Sequence, residues 1–223
     1  MLNVVIKCLV VILPWKLKHV VLNRFYHYNI HPKARIGLSY IFPKYLVMEE
    51  GARIGHFNVA IHLDRMLMGR NSTMSRSNWI TGFPTNSGSR HFSYDINRKS
   101  ELVMGKESAI TKNHHIDCTN RISIGDFVTI AGYGSQLLTH SINIYTCRQE
   151  SRPISIGNYC FVSTNVKILG GSSLPDYSVL GAGAVLNKAY SNEYTLYAGV
   201  PAKPVKEIVS SAKYFNREKG FVY

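Results

Sequence analysis

Nine histidines are the side chains in this sequence best suited to proton chemistry near neutral pH. An unperturbed imidazole titrates near 6.5 and can take or give a proton there. His114 and His115 are adjacent, and His140 opens a polar segment, His140 to Arg152, that interrupts an otherwise regular apolar pattern. A histidine so placed can act as general base on a weak nucleophile such as a hydroxyl, with no covalent intermediate and so no partner serine or cysteine. The metal alternative needs histidines meeting around zinc across subunits, and His114, His115 and His140 are its candidates. The four cysteines, Cys8, Cys118, Cys147 and Cys160, show no CxxC spacing. They are expected to pack as small apolar residues in a reducing compartment.

What must position these groups is a repeat. Ile156, Val162, Ile168, Leu174, Leu180 and Leu186 follow one another at intervals of six. Gly157, Ser163, Pro175, Gly181 and Asn187 stand directly after five of them, and Cys160, Val166, Ser172, Ser178 and Ala184 fill the fifth place of each unit. The beat also runs through Met104, Ile110 and Ile116, then Ile124 and Ile130, with weaker units at Ile36-Gly37, Ile54-Gly55 and Met68-Gly69. A helix repeats its apolar face at 3.6 residues and a strand at 2, so six fits neither as one long element. It fits very short strands joined by turns, each giving one inward aliphatic. Three such strands close a triangular coil, and stacked coils make a parallel β-helix. Two segments break the beat, Ser75 to Glu101 and His140 to Arg152, and insertions in a solenoid become loops on one flank.

Asn113 to Ile208 resembles the hexapeptide-repeat acetyltransferases, the group that holds galactoside and maltose acetyltransferases. The matching text is Arg121-Ile-Ser-Ile-Gly-Asp126, Leu138-Thr-His140, a loop, Pro153-Ile-Ser-Ile-Gly-Asn158, Ser178-Val-Leu-Gly-Ala-Gly-Ala-Val185 and Gly199-Val-Pro-Ala-Lys203. The resemblance implies an all-β fold, a left-handed parallel β-helix, with short helical appendages at both ends. It implies a homotrimer with active sites between subunits, acetyl-coenzyme A as acyl donor and no metal. His140 falls where the family has its general base, and Asn113 where an asparagine binds the acceptor. Thr164, Ala182 and Asn187 fall along the wall that meets the pantetheine arm, and Lys203 and Lys206 near the coenzyme's phosphates. Glu150 is the loop acid that could orient His140. The function implied is transfer of an acetyl group to a sugar hydroxyl, in surface polysaccharide or glycan biosynthesis. A γ-class carbonic anhydrase-like metalloenzyme and a non-catalytic β-helix scaffold are the alternatives.

The division that follows is an N-terminal helical arm over 1–32, the β-helix over 33–190 with loops near 75–101 and 140–152, and a C-terminal turn and helix over 191–223, the helix spanning Val205 to Lys219. Leu2 to Leu13 is too short to span a bilayer, and Lys7 interrupts it. It lacks the order of charge, apolar core and small-residue site of a secretory signal. Apolar and basic residues mix along the arm, which suits an interfacial membrane contact or packing on a neighbouring subunit. A cytoplasmic protein, associated with the inner face of the membrane if the first reading holds, is the expectation. The formal charge of +13 favours anionic partners. The dispersed basic residues and the lack of a recognition motif speak against nucleic acid. The aromatic residues Trp79, Phe83, His91, Phe92 and Tyr94 of the first loop are candidates for stacking on a sugar ring or for covering a neighbouring subunit.

Overall fold

The computed structural model describes residues 2–222. Two helices, α1 (Leu2–Ile12) and α2 (Trp15–Phe25), precede a long array of short strands. The strands lie on three faces, visited in order by every coil. The first face carries seven strands, from Asn29–Ile30 to Ser173–Leu174. The second carries nine, from Arg35–Ile36 to Lys203–Glu207, and the third seven, from Tyr40–Phe42 to Val185–Leu186. Pairing between coils is parallel throughout, except that the last strand, Lys203–Glu207, turns back antiparallel on Thr195–Ala198.

The six-residue beat is the reason for this winding. Ile156 pairs with Leu174, Val162 with Leu180 and Ile168 with Leu186. The six aliphatics are therefore three stacked pairs, one per face, and all are buried. The first-face column continues back through Ile124, Met104, Met68, Met48 and Ile30. Each such side chain contributes about 1.5–3 kcal/mol by leaving water. The small fifth-place residues, Cys160, Val166, Ser172, Ser178 and Ala184, are also buried, filling the space beside the columns. Cys8 and Cys147 depart from the expectation for the cysteines, since both are exposed; Cys118 and Cys160 pack inside, and all four are free thiols.

The hexad glycines serve close stacking rather than turn flexibility. A Cβ on Gly125 would come within 2.8 Å of the Gly157 carbonyl oxygen, and Gly105, Gly125 and Gly157 are absent from the left-handed region. That region is occupied instead by Phe127, Tyr159, Tyr177 and Tyr194, with φ of 56°, 55°, 54° and 50°. Their rings stack along one corner with centroids 4.6, 5.3 and 4.8 Å apart, and Phe215 of the C-terminal segment meets Tyr177 and Tyr194 edge-on.

Three expectations are corrected. The beat persists through Met74 and Ile80, which sit on the second and third faces, so the first loop leaves the coil only after the strand Trp79–Gly82. Trp79 is thus a coil residue, opposite His115. The second departure is an antiparallel hairpin, His140–Asn143 with Arg148–Ser151. The Val205 to Lys219 helix does not form: pairing with Thr195–Ala198 makes the start of it a strand, and only Lys213–Asn216 is helical, as one 3-10 turn.

Of the N-terminal arm, α2 caps the array. Its Asn23 accepts from the Ile30 amide and donates to the Ile30 carbonyl, while Lys18 Nζ donates to the Gly37 carbonyl at 2.9 Å. These bonds satisfy backbone groups of the first coil, the task of a terminal cap in a solenoid. In α1, Val10 is buried, whereas Leu2, Val4, Val5, Ile6, Leu9 and Ile12 are exposed. Among the described residues no helix is long and apolar enough to cross a membrane.

Candidate active site

Both departures leave the β-helix at the same corner, where the third face turns into the first. The first loop follows Gly82, the hairpin follows Leu138 and Thr139, and the coil between them turns at Thr119 to Arg121. This middle corner presents Asp117. Its strand, His115–Cys118, runs beside Gln136–Leu138 with Asp117 opposite Leu138. Stacking of Ile116 on Leu137 therefore puts the Asp117 carboxylate beside the first residue of the hairpin.

That residue is His140. Its Nδ1 lies 2.7 Å from Asp117 Oδ2. The carboxylate is held from every side: Oδ1 accepts from the amide and hydroxyl of Thr119, and Oδ2 from the amides of Thr139 and His140. Burial alone would raise the Asp117 pKa, but the bonds from His140 and Thr119 outweigh it and hold the group below the usual carboxylate value. The same bond raises the His140 pKa against a smaller opposing effect of burial. An ionised Asp117 can only accept, so Nδ1 carries the proton and Nε2 keeps the lone pair. The arrangement thus sets the tautomer that a base acting through Nε2 requires.

The imidazole is about half exposed, with 45% of its side chain accessible, and it lines a cavity of about 380 Å³ with Leu138, Leu169, Gly170, Arg152 and Asn187. Asn187, expected along the coenzyme wall, is therefore on the same corner as His140. Glu150 borders this cavity too, but its carboxylate accepts from Asn143 and lies 4.0 Å from Arg152. Asp117, not Glu150, orients the histidine. The Phe92 ring of the first loop meets His140 edge-to-face at 6.3 Å.

Phe92 is placed by Arg98, which lies 4.8 Å from the Phe92 ring centroid. This guanidinium is buried and donates to the carbonyls of Phe83, Pro84 and Thr119. It ties both ends of the first loop to the corner that carries Asp117. Burial lowers the Arg98 pKa, opposed by the charges of Asp64, Asp95 and Asp117.

The remaining candidates lie at the opposite edge of the third face. Asn113 is an exposed corner residue with φ 55°, two residues before the strand that carries Asp117. The four residue steps from it to Asp117 span about 13 Å, at roughly 3.3 Å per residue. Thr164 and Ala182 stack at this same edge, where the Gly183 amide donates to the Thr164 carbonyl. Among the described residues, the amides of Thr164 and Ala182 donate to no acceptor in the chain. The Thr164 hydroxyl is used internally, on the Tyr133 carbonyl. Lys203 starts the last strand opposite Ala198, which packs over Gly181, and Lys206 follows along the second face. Both lysines are exposed. One chain therefore gathers His140 and Asn187 at one edge and Asn113, Thr164, Ala182 and Lys203 at the other.

His114 is not available as a metal ligand. It is fully buried, its Nδ1 accepts from the Ser135 amide, and its Nε2 lies 3.0 Å from the Thr111 hydroxyl. Burial lowers its pKa to about 4, so it is neutral and structural. Among the described residues, no three His, Cys, Asp or Glu side chains converge as metal ligands.

Comparison with known proteins fits this architecture. No family model matches the chain. Galactoside O-acetyltransferase of Escherichia coli (strain K12) is 29% identical over 133 residues, which cover 56% of this chain and 61% of that protein. The chain thus spans about three-fifths of the length of the curated relative it matches. Among solved structures, a hexapeptide-repeat containing acetyltransferase from Vibrio cholerae superposes with a TM-score of 0.51 at 22% identity, over 64% of this chain and 73% of its own. A polysialic acid O-acetyltransferase superposes with a TM-score of 0.52 at 19% identity, over 82% and 85%. The chain has the fold of the hexapeptide-repeat acetyltransferases, a left-handed parallel β-helix.

Proposed function

We propose that this chain is an acetyl-coenzyme A-dependent O-acetyltransferase that modifies a sugar hydroxyl, with His140 as general base. The observation that carries the reading is the 2.7 Å bond from His140 Nδ1 to Asp117, which leaves Nε2 as a base at the mouth of a cavity. The similarity to a galactoside O-acetyltransferase supports both the reaction and a carbohydrate acceptor.

In this reaction the acceptor oxygen attacks the thioester carbonyl while Nε2 takes its proton. The tetrahedral species collapses, the carbon–sulfur bond breaks, and the imidazolium returns the proton to the departing thiolate. Asp117 stabilises the imidazolium between these steps and keeps the ring in place. The unpaired amides of Thr164 and Ala182 are donors suited to the pantetheine amides and to the developing oxyanion. Lys203 and Lys206 supply positive charge for the coenzyme's phosphates.

The separation of these groups across the third face supports a homotrimer. Packing one chain's Asn113–Thr164–Ala182–Lys203 edge against its neighbour's His140–Asn187 edge makes one groove with all the components. The exposed apolar residues of α1, with Lys7 and Lys16 nearby, support peripheral contact with the inner face of a membrane. There a cytoplasmic enzyme meets lipid-linked precursors of surface polysaccharides.

The test is release of free coenzyme A thiol from the acetyl thioester with a panel of nucleotide-linked, lipid-linked and polymeric sugars. Acceptor-dependent release is the expected result. Thioester turnover with none of the sugars, alongside stoichiometric zinc in the purified protein, would overturn the reading.

A further inference from the structure

A second cavity, of about 510 Å³, opens between the first loop and the hairpin, on the Phe92 side of His140. Its walls include Arg90, His91, Phe92, Tyr94, Cys147 and Arg148, and no carboxylate lines it. Among the described residues, neither arginine forms an ion pair; the Arg148 guanidinium lies 5.7 Å from the Tyr94 ring centroid. The acids of the two walls are engaged elsewhere: Glu150 of the hairpin accepts from Asn143. Asp95 accepts from the Ser151 hydroxyl, and Asp64 accepts from Thr85 at the base of the loop. Ser151 and Asp95 join hairpin to loop, and the buried Arg98 anchors the loop at both ends.

We infer that this cavity is the acceptor subsite of the proposed reaction, and that it selects a sugar bearing an anionic group, a carboxylate or a phosphate. Two unpaired guanidinium forks match either oxyanion bidentately. Tyr94, which is exposed, offers flat apolar surface to the C–H face of a sugar ring, and the buried Phe92 forms the floor beneath it. The volume is that of a small-ligand cleft, roughly 300–1,000 Å³. The position divides the labour around His140. The charged sugar enters between the first loop and the hairpin, while the cavity lined by Leu138, His140, Leu169 and Asn187 receives the thioester. A neutral sugar would leave two cations facing an unpaired site, so charge is what the cavity discriminates.

This inference rests on the acyl-transfer reading, and its test separates the two. Binding of a uronic-acid oligosaccharide, its carboxyl-reduced neutral counterpart and a sugar phosphate is measured by calorimetric titration on the full chain, for wild type, Arg90→Ala and Arg148→Ala. Both arginines are exposed, so neither substitution threatens folding. The expected result is binding of at least one charged sugar, at least tenfold weaker binding of the neutral one, and at least a tenfold loss in each variant. Whether carboxylate or phosphate binds better assigns the source of the charge. Equal binding of neutral and charged sugars, or unchanged binding in both variants, overturns the subsite. Charged sugars that bind through these arginines without supporting thiol release from acetyl-coenzyme A keep the subsite and remove the acyl-transfer reading. Thiol release with neutral sugars alone does the reverse.

Discussion

Asp117 and His140 are 23 residues apart in sequence and joined by a 2.7 Å hydrogen bond across one step of the β-helix. The strand of Asp117 lies directly beneath the strand that leads into His140. Coil stacking, not a local motif, makes the pair.

The first prediction concerns pH. His140 has its pKa raised, first by the hydrogen bond to Asp117, and a base must be unprotonated to act. Activity (kcat/KM) is therefore expected to rise with pH through an inflection above the ordinary histidine value of about 6.5. Asp117→Asn is expected to lower that inflection and to cut kcat on the order of 10²-fold by releasing the tautomer. A pH–rate profile of both proteins checks this. For stability the sign is opposite: a raised folded pKa gives a contribution that is complete below about 6.5 and fades as pH rises through the folded value. With the ring about half exposed, solvent screens that contribution.

Lys203 and Lys206 are exposed strand residues with no acidic partner among the described residues. Replacing both with alanine is expected to raise KM for acetyl-coenzyme A about 5- to 10-fold, since exposed ion pairs contribute under about 1 kcal/mol each. The difference should shrink in 0.5 M salt, where the Debye length falls below about 5 Å. Initial rates at two ionic strengths measure it.

Arg98 is buried and serves three backbone carbonyls. Arg98→Met leaves those carbonyls without their donor and is expected to cost about 2 kcal/mol, concentrated in the first loop. Hydrogen exchange should show faster exchange over 83–100 while the coils keep their protection. KM for the acceptor should rise more than KM for the acetyl donor, because Phe92 loses its support.

The exposed apolar surface of α1 makes a fourth prediction. Wild-type protein is expected to pellet with vesicles of anionic phospholipid, and Leu9→Asp with Ile12→Asp to abolish pelleting without changing thermal stability. Both side chains are exposed, so the double variant keeps the packing of Val10 and of α2. A wild-type chain that stays in the supernatant contradicts the membrane contact.

Much of the fold could be read from the chain because a period of six has no rival in helix or simple strand. Ile156 to Leu186 declares two full coils outright. Met74 and Ile80 keep the same interval but lack the glycine that follows Met68, so the coil was expected to end sooner than it does. The C-terminal strand is not legible in its own residues, because its conformation comes from pairing with Thr195–Ala198, a partner outside the segment. The left-handed tyrosines run against residue preference, and their stacking is visible only once the coils are superposed. Among the site residues, His140 was marked by the interruption it opens. Asp117 follows Ile116 where turn-type residues follow other aliphatics of the repeat, and Glu150 shares the hairpin with His140. Placing Ile116 under Leu137 is the step that would have found the true partner.

In the proposed reaction His140 removes the acceptor's proton during acyl transfer. The most direct test of that role pairs two numbers for His140→Ala: kcat for acceptor-dependent thiol release and Kd for acetyl-coenzyme A. The expected result is a kcat lower by about 10²- to 10⁴-fold with the Kd changed less than threefold. Unchanged kcat would contradict that role, as would a loss accounted for by weaker coenzyme binding.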